Sequence, residues 1–425
     1  MLALQPRRRT RLGQEWVAHS GLRGDAILYG ISALFALVLG WTSTQVAQWH
    51  WGYLAVGPYA LAALVAFVLA RMKPRRSTMV RVALLGLVLL GSVIIPLGLE
   101  TRWRHQDPAM GYAQPEVSVI ERSATYVSQG KDPYRTYLHD GHLVDLLPGL
   151  PAFESFFPYF PLMSVFGLPS ADTHLGAGLT DARIVMTLMT LLTSSAALLL
   201  LKASRERKIR VAQVLLALPT GALFLSTGGD DMPILALMLL AIAFLERRSS
   251  NAAGVSLGIA AAMKLTAWPL AVGALLVAKN KNGRSTWFTV GLWTAAIVLV
   301  TVVPYALHAP SAFFSNVFAF PLGLAGVASP AASALPGHIL TTWWAPFGHI
   351  LAPLTLLIGG YFVARYAQRH WPLTLSRLLA ILSVAFAVMI CVASATRIGY
   401  VIYPINFAVW SWVTSETRTD ELVNV

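Results

Sequence analysis

Val80-Arg81-Val82-Ala83-Leu84-Leu85-Gly86-Leu87-Val88-Leu89-Leu90-Gly91-Ser92-Val93-Ile94-Ile95-Pro96-Leu97-Gly98-Leu99 carries a single charge, at Arg81. At about 1.5 Å per helical residue, such a run reaches about 30 Å, the thickness of a bilayer's hydrocarbon core. Similar apolar runs lie on either side of it, near 26–43, 53–70, 184–201, 211–227, 232–245, 253–263, 265–278, 287–306, 346–366, 377–395 and 398–413. Charges, Gly/Pro clusters or turn residues bound each one. The whole chain of 425 residues is 56% hydrophobic and 12% charged, with a mean hydropathy of +0.62. A soluble domain averages about 25% charged residues, so a cytoplasmic globule, a disordered tail and a coiled coil are excluded. The reading is an all-α polytopic membrane protein with about eleven or twelve transmembrane helices.

The net charge of +13 is decided by placement. With the N-terminus in the cytoplasm, 24 of the 32 Lys and Arg fall on the inner side and 12 of the 19 acids on the outer side, the orientation that the positive-inside rule selects. Nucleic acid is therefore not an expected partner. Arg7, Arg8, Arg9 and Arg11 precede the first apolar run, and no small-residue cleavage site follows it, so an uncleaved first span is expected rather than a signal peptide. The expected organisation is a basic cytoplasmic N-terminus over 1–25, one transmembrane domain over 26–415 and a cytoplasmic tail over 416–425. The lone Cys391 permits neither an intrachain disulfide nor a Cys-based metal cage.

The segment 253–278 lies between basic cytoplasmic loops, yet it is too short for two full crossings. Its centre, Lys264-Leu265-Thr266-Ala267-Trp268-Pro269, places a cation at membrane depth next to a helix-weakening proline. One long tilted helix with Lys264 snorkelling is the plain alternative. The cost of a buried charge favours a broken, in-and-out path lining protein or a watery cavity.

Two long outer loops follow from this topology, 100–183 and 307–345. The first carries most of the outer acids, and eight of the ten His also lie outside. Within it, Pro115-Glu116-Val117-Ser118-Val119-Ile120-Glu121-Arg122-Ser123-Ala124-Thr125-Tyr126-Val127 spaces Val119, Ile120, Ser123 and Val127 on one face, which predicts an amphipathic interfacial helix ended by Gly130-Lys131-Asp132-Pro133-Tyr134. Glu116 falls in its first turn, where a carboxylate is favoured on dipole grounds alone. Phe156-Phe157-Pro158-Tyr159-Phe160-Pro161-Leu162 reads equally as an approach to a site or as an aromatic belt. Thr227-Gly228-Gly229-Asp230-Asp231-Met232-Pro233 sets two carboxylates at a helix start; an N-cap accounts for one, and a divalent ion is conceivable but not favoured. Phe320-Pro321-Leu322-Gly323 and the proline-rich, nearly uncharged stretch Ser329–His338 fit a loop packed down on the bundle. Arg397 stands alone between two spans, either marking a helix end or completing an anion site with Lys264. Phosphate-loop, dinucleotide, zincin and nucleophile-elbow motifs are absent from the sequence.

Glu116-x-x-Val119-Ile120, then Gly130-Lys131-Asp132-Pro133-Tyr134, then Phe157-Pro158-Tyr159-Phe160-Pro161-Leu162 together resemble the D-x-x-V-Y, G-x-D-P-Y and F-x-Y-P-P motifs of glycosyltransferase family 87. Gly228-Gly229-Asp230-Asp231, the Gly254–Pro269 segment and Arg397-x-Gly399-Tyr400-x-x-Tyr403-Pro404 are similar as well. These are GT-C-class membrane enzymes typified by actinobacterial polyprenol-phosphate-mannose-dependent mannosyltransferases. The resemblance implies a GT-C-like bundle with a long extracytoplasmic first loop bearing interfacial helices and the catalytic base. The family's aspartate maps onto Glu116, whose side chain reaches about one carbon further, and its tyrosine after Val maps onto Ile120.

The expected activity is inverting transfer of one sugar, mannose by resemblance, from a polyprenyl-phosphate donor to a glycan or glycolipid hydroxyl outside the plasma membrane. Glu116 is the expected base. Lys264, Arg397 and His338 would hold the donor phosphate. Glu121, Arg122, Asp230, Asp231, Tyr159 and Tyr403 would shape the site or bind the acceptor. No metal or other cofactor is expected; the partners are the bilayer, the lipid-linked donor and the acceptor. The rival readings are a transporter or flippase, whose broken helices and intramembrane charges would look alike, and a silent envelope scaffold.

Overall fold

A computed structural model describes residues 11–72, 74, 76–171, 179–282, 284–327, 331, 333–344 and 346–423. Arg7 to Arg9, Asp172, His174, Ser329, Pro330 and Ala332 of the sequence reading lie outside the described residues. The helices are α1 (Arg11–Thr42), α2 (Val46–Met72), α3 (Ser77–Gln106), α4 (Pro115–Ser128), α5 (Ala182–Leu200), α6 (Arg205–Ala217) and α7 (Pro219–Thr227). After them come α8 (Asp231–Glu246), α9 (Ser250–Ala261), α10 (Trp268–Asn282), α11 (Arg284–His308), α12 (Pro336–Trp343), α13 (Ala352–Arg369), α14 (Leu375–Val392) and α15 (Ile402–Val423). One short antiparallel hairpin, β1 (Tyr137–His139) and β2 (His142–Val144), pairs Tyr137 with Val144.

The all-helical, polytopic expectation holds. Among the described residues, six helices are long and apolar enough to cross a membrane, and the pair α6–α7, bent by 42°, makes a seventh if counted as one span. Several of the other apolar runs form shorter helices. One is α8, only 16 residues long and buried along most of its length; another is the piece Leu265–Ala278.

The chain divides into two compact units. The first comprises the described parts of Met1–Ala113, Lys202–Thr227 and Trp412–Val425. Here α1 and α2 form a tight hairpin: a Cβ on Gly52 would fall 2.5 Å from the Gly40 nitrogen and 2.6 Å from the Ala36 carbonyl, so only glycine permits this approach. Asp25 is fully buried in this unit. It accepts hydrogen bonds from Arg81 Nη2 and Gln213 Nε2, each at 3.0 Å, and lies 3.3 Å from Arg210. Arg81 also reaches Glu206, which in turn accepts from Thr78 at 2.6 Å.

The second unit comprises Gln114–Leu201 and Gly228–Ser411. Helix α8 packs between α5 and α9, and α9 lies along α11. The amphipathic α4 forms where the pattern places it and buries Val117, Val119, Ile120, Ser123 and Ala124. The loops 100–183 and 307–345 meet: Phe156 stacks on Phe320 at 4.7 Å, and Asn316 accepts from Phe157 N at 2.6 Å while donating to the Thr136 carbonyl at 2.7 Å. The single tilted helix is overturned. α9 stops at Ala261 and Lys264 is extended (φ −154°, ψ 145°), so its ammonium has bonding partners at this break and has no need to snorkel.

Candidate active site

The site is built on the second unit from four stretches of chain. Pro115 opens α4 with a pre-set φ, which places Glu116 in the first turn. The dipole alone does not account for this acid: Glu116 Oε1 takes a hydrogen bond from Arg397 Nη1, while Oε2 is buried and has no partner among the described residues. Arg397 is extended and precedes the short 3₁₀ turn Ile398–Val401. Rather than capping a helix, its guanidinium reaches across 281 positions of sequence to Glu116.

Lys264 gathers the second group. Its Nζ lies 2.7 Å from Asp230 Oδ2 and 2.6 Å from Asp231 Oδ1. All three side chains are largely buried, at 12%, 9% and 15% exposed, so each charge depends on the others. Asp230 occupies the N-cap position of α8 without making a side-chain cap; its carboxylate serves Lys264 instead. With the ammonium already between the two carboxylates, this pair does not fit a divalent ion. Tyr403 donates its hydroxyl to Asp231, and the Tyr403 oxygen is 2.6 Å from Thr266 Oγ1.

Two aromatic rings lie beside the ammonium, Tyr159 at 5.4 Å and Tyr400 at 5.7 Å, within cation–π range. Tyr159 is fixed from both ends: its carbonyl accepts from the Tyr134 hydroxyl at 2.7 Å, and the next residue, Phe160, donates its N–H to the Met263 carbonyl at 2.9 Å. Burial, then the carboxylates of Asp230 and Glu116, push the Tyr159 phenol well above its ordinary range. The phenol therefore stays protonated as a donor, within electrostatic reach of both carboxylate groups.

The structure thus brings together Glu116, Arg397, Lys264, Asp230, Asp231, Tyr159 and Tyr403. Three other expected residues bond elsewhere. Glu121 Oε1 accepts from Ala182 N at 3.0 Å and anchors the start of α5. Arg122 donates to the Glu154 carbonyl, and His338 Nδ1 is 2.9 Å from the Ser394 carbonyl. Sequence reading assigned no role to Thr266 or Tyr400, though a signal was present. Thr266 is two positions from Lys264 and Tyr400 three from Tyr403, near enough in sequence to be read with them. Asp132 was also passed over: Oδ1 accepts from Tyr134 N at 2.8 Å, and Oδ2 is buried without a partner among the described residues.

A profile of glycosyltransferase family 87 matches residues 157–395, more than half of the chain. The chain belongs to glycosyltransferase family 87. That family is of GT-C type and membrane-embedded, so the protein is a membrane glycosyltransferase and the transporter reading is set aside. No curated protein matches the chain. The family 87 match, over residues 157–395, takes in Tyr159, Asp230, Asp231, Lys264 and His338; Arg397 lies just past its end, and Glu116 lies well before its start.

Proposed function

We propose that this family 87 enzyme moves one sugar, mannose, from a polyprenyl-phosphate donor onto a glycan or glycolipid hydroxyl at the extracytoplasmic face of the plasma membrane. Both termini lie in the cytoplasm in this reading, which rests on the skew of basic residues to one side. The observation that carries the mechanism is the divided environment of Glu116: one oxygen is held by Arg397, and the other is buried with no partner among the described residues.

Glu116 Oε2 takes the proton of the acceptor hydroxyl as its oxygen attacks the anomeric carbon. The bond from that carbon to the phosphate oxygen breaks on the opposite face, so configuration inverts. Polyprenyl phosphate leaves with the added negative charge, stabilised by Arg397 and Lys264. Asp230 and Asp231 hold the Lys264 ammonium in place, while Tyr159 and Tyr403 orient the pocket, and no metal enters the scheme.

The test is transfer of radiolabelled sugar from polyprenyl-phosphate-mannose to membrane glycolipids by the purified protein, with and without EDTA. Transfer is expected in both conditions and is lost in Glu116→Gln, with the unfolding midpoint unchanged. A Glu116→Gln variant that keeps wild-type turnover rules out this base.

A further inference from the structure

We infer that Thr266 is a positioning residue for Lys264, acting on its ammonium through Tyr403 and Asp231; this rests on the transfer reading above, in which Lys264 meets the leaving phosphate. The chain of hydrogen bonds has one direction. Asp231 is a carboxylate paired with an ammonium and offers only lone pairs, so the single phenolic proton of Tyr403 goes to Asp231 Oδ1. The Tyr403 oxygen is then left as an acceptor towards Thr266 Oγ1, 2.6 Å away, and the Thr266 hydroxyl is the donor. Thr266 O–H, Tyr403 O–H and Lys264 N–H therefore all run towards one carboxylate oxygen, an arrangement in which each bond polarises the next.

Thr266 departs from the ordinary use of threonine in this protein. Thr190, Thr301 and Thr341 sit inside helices and turn their hydroxyls back to the carbonyl four residues earlier, each at 2.7 Å, the local bond that helical threonine commonly makes. Thr266 lies in the 3₁₀ turn Leu265–Ala267, just past the break at Lys264, and its hydroxyl meets a partner 137 positions away. That partner has little freedom: Tyr403 is 1% exposed, and its ring stacks on Phe386 at 5.2 Å. The contacts close a loop from the Lys264 backbone to Thr266, across to Tyr403 at the start of α15, on to Asp231 at the start of α8, and back to the Lys264 ammonium. An ammonium carries three N–H groups. Asp230 and Asp231 hold two of them, so the placement of the carboxylates sets where the third points, and the loop fixes Asp231 relative to the backbone that carries Lys264.

The test compares Thr266→Val, which keeps the shape and removes the hydroxyl, with Thr266→Ser, which keeps the hydroxyl, in the full-length protein in detergent. One readout is hydrogen exchange of the Lys264 ammonium, followed by nitrogen NMR of isotopically labelled lysine and assigned with Lys264→Met; it needs no donor. The other is steady-state transfer from polyprenyl-phosphate-mannose. Thr266→Val is expected to speed exchange at Nζ about tenfold and to lower kcat about tenfold, the worth of one hydrogen bond. The donor KM stays unchanged, because the ammonium acts on charge that develops as the phosphate leaves. Thr266→Ser restores both readouts. Tyr403→Phe cuts the same chain one link later, gives the same changes and keeps the test valid if Thr266→Val misfolds; adding Thr266→Val to it changes neither readout further. Exchange at Lys264, or kcat in a protein that transfers sugar, that is equal in wild type and Thr266→Val overturns the positioning role, as does a Thr266→Ser variant impaired as much as Thr266→Val. Faster exchange in Thr266→Val, restored by serine, in a protein that transfers no sugar upholds the positioning role and overturns the transfer reading instead.

Discussion

Replacing Lys264 by Met tests whether the two aspartates depend on that ammonium. Nζ sits 2.7 Å from Asp230 and 2.6 Å from Asp231, with all three side chains at most 15% exposed. Without it, Asp231 keeps the Tyr403 hydroxyl, whereas Asp230 loses its counter-ion. Removing one partner of a buried pair costs about 3–5 kcal/mol. An independent ceiling comes from proton uptake: neutralising a carboxyl of reference pKa about 3.9 costs about 4 kcal/mol at pH 7 and about 1.5 kcal/mol at pH 5. The variant is therefore expected to lose about 4 kcal/mol at pH 7 and to recover most of it by pH 5. The sign follows from linkage: a folded state that binds an extra proton gains stability as pH falls. The assay is denaturant unfolding in mild detergent followed by tryptophan fluorescence, with Asp230→Asn/Lys264→Met as the compensated control. A loss under about 1 kcal/mol at pH 7, or one that does not change with pH, refutes the reasoning.

Gly228 holds φ +106°, and a Cβ there would fall 2.1 Å from Val117 Cγ2; Gly228→Ala is expected to destabilise by at least about 2 kcal/mol, while Gly98→Ala, where nothing lies within 4 Å, is neutral or stabilising in the same unfolding assay. Burial first, then the Glu116 carboxylate, raise the Glu154 carboxyl against the opposing pull of Arg122, so wild type loses stability as pH rises through that raised value. Glu154→Gln should then melt higher than wild type at pH 7 and level with it at pH 4, as thermal scans at the two pH values will show. In the first unit, Asp25→Asn leaves Arg81 and Arg210 without their buried carboxylate, with an expected cost of about 3–5 kcal/mol by the same denaturant titration.

Local chemistry was legible in the sequence where a signal of one or two turns sufficed. The proline-then-acid start and apolar spacing of α4 predict Pro115–Val127, and the helix runs Pro115–Ser128. The cost of a cation at depth predicts the break at Lys264, and the helix breaks there. Pairing was harder to read, because partner choice is a property of tertiary packing. Glu116 and Arg397 are 281 residues apart, and nothing in either neighbourhood specifies the other. The doubled aspartate looked like a cap plus a spare acid, yet both serve an ammonium 33 and 34 positions away. Asp25 and Arg81 are both buried in the first unit, a pairing that no local pattern around either residue signals. Hydropathy cannot separate a span from a short buried helix such as α8, since burial in protein and burial in lipid select the same side chains.

Charge bookkeeping in the resting site decides which cation receives the donor. Three carboxylates, on Glu116, Asp230 and Asp231, face two cations, Arg397 and Lys264, so the site is already one charge negative before an anionic phosphate enters. Lys264 is bonded to two carboxylates and flanked by two rings, and an ammonium has only three N–H groups. Arg397 is bonded to one carboxylate through one nitrogen and keeps the rest of a planar fork that matches phosphate oxygens. On the proposed transfer, the incoming phosphate would go first to Arg397, which would couple donor arrival to the base: a guanidinium turned to phosphate would open both oxygens of Glu116 to the acceptor hydroxyl. Arg397→Lys keeps the charge but not the fork, and is expected to lower kcat by roughly 10²-fold with less than a tenfold rise in the donor KM. A raised donor KM with kcat unchanged would mean that Arg397 only binds the donor and has no part in releasing Glu116.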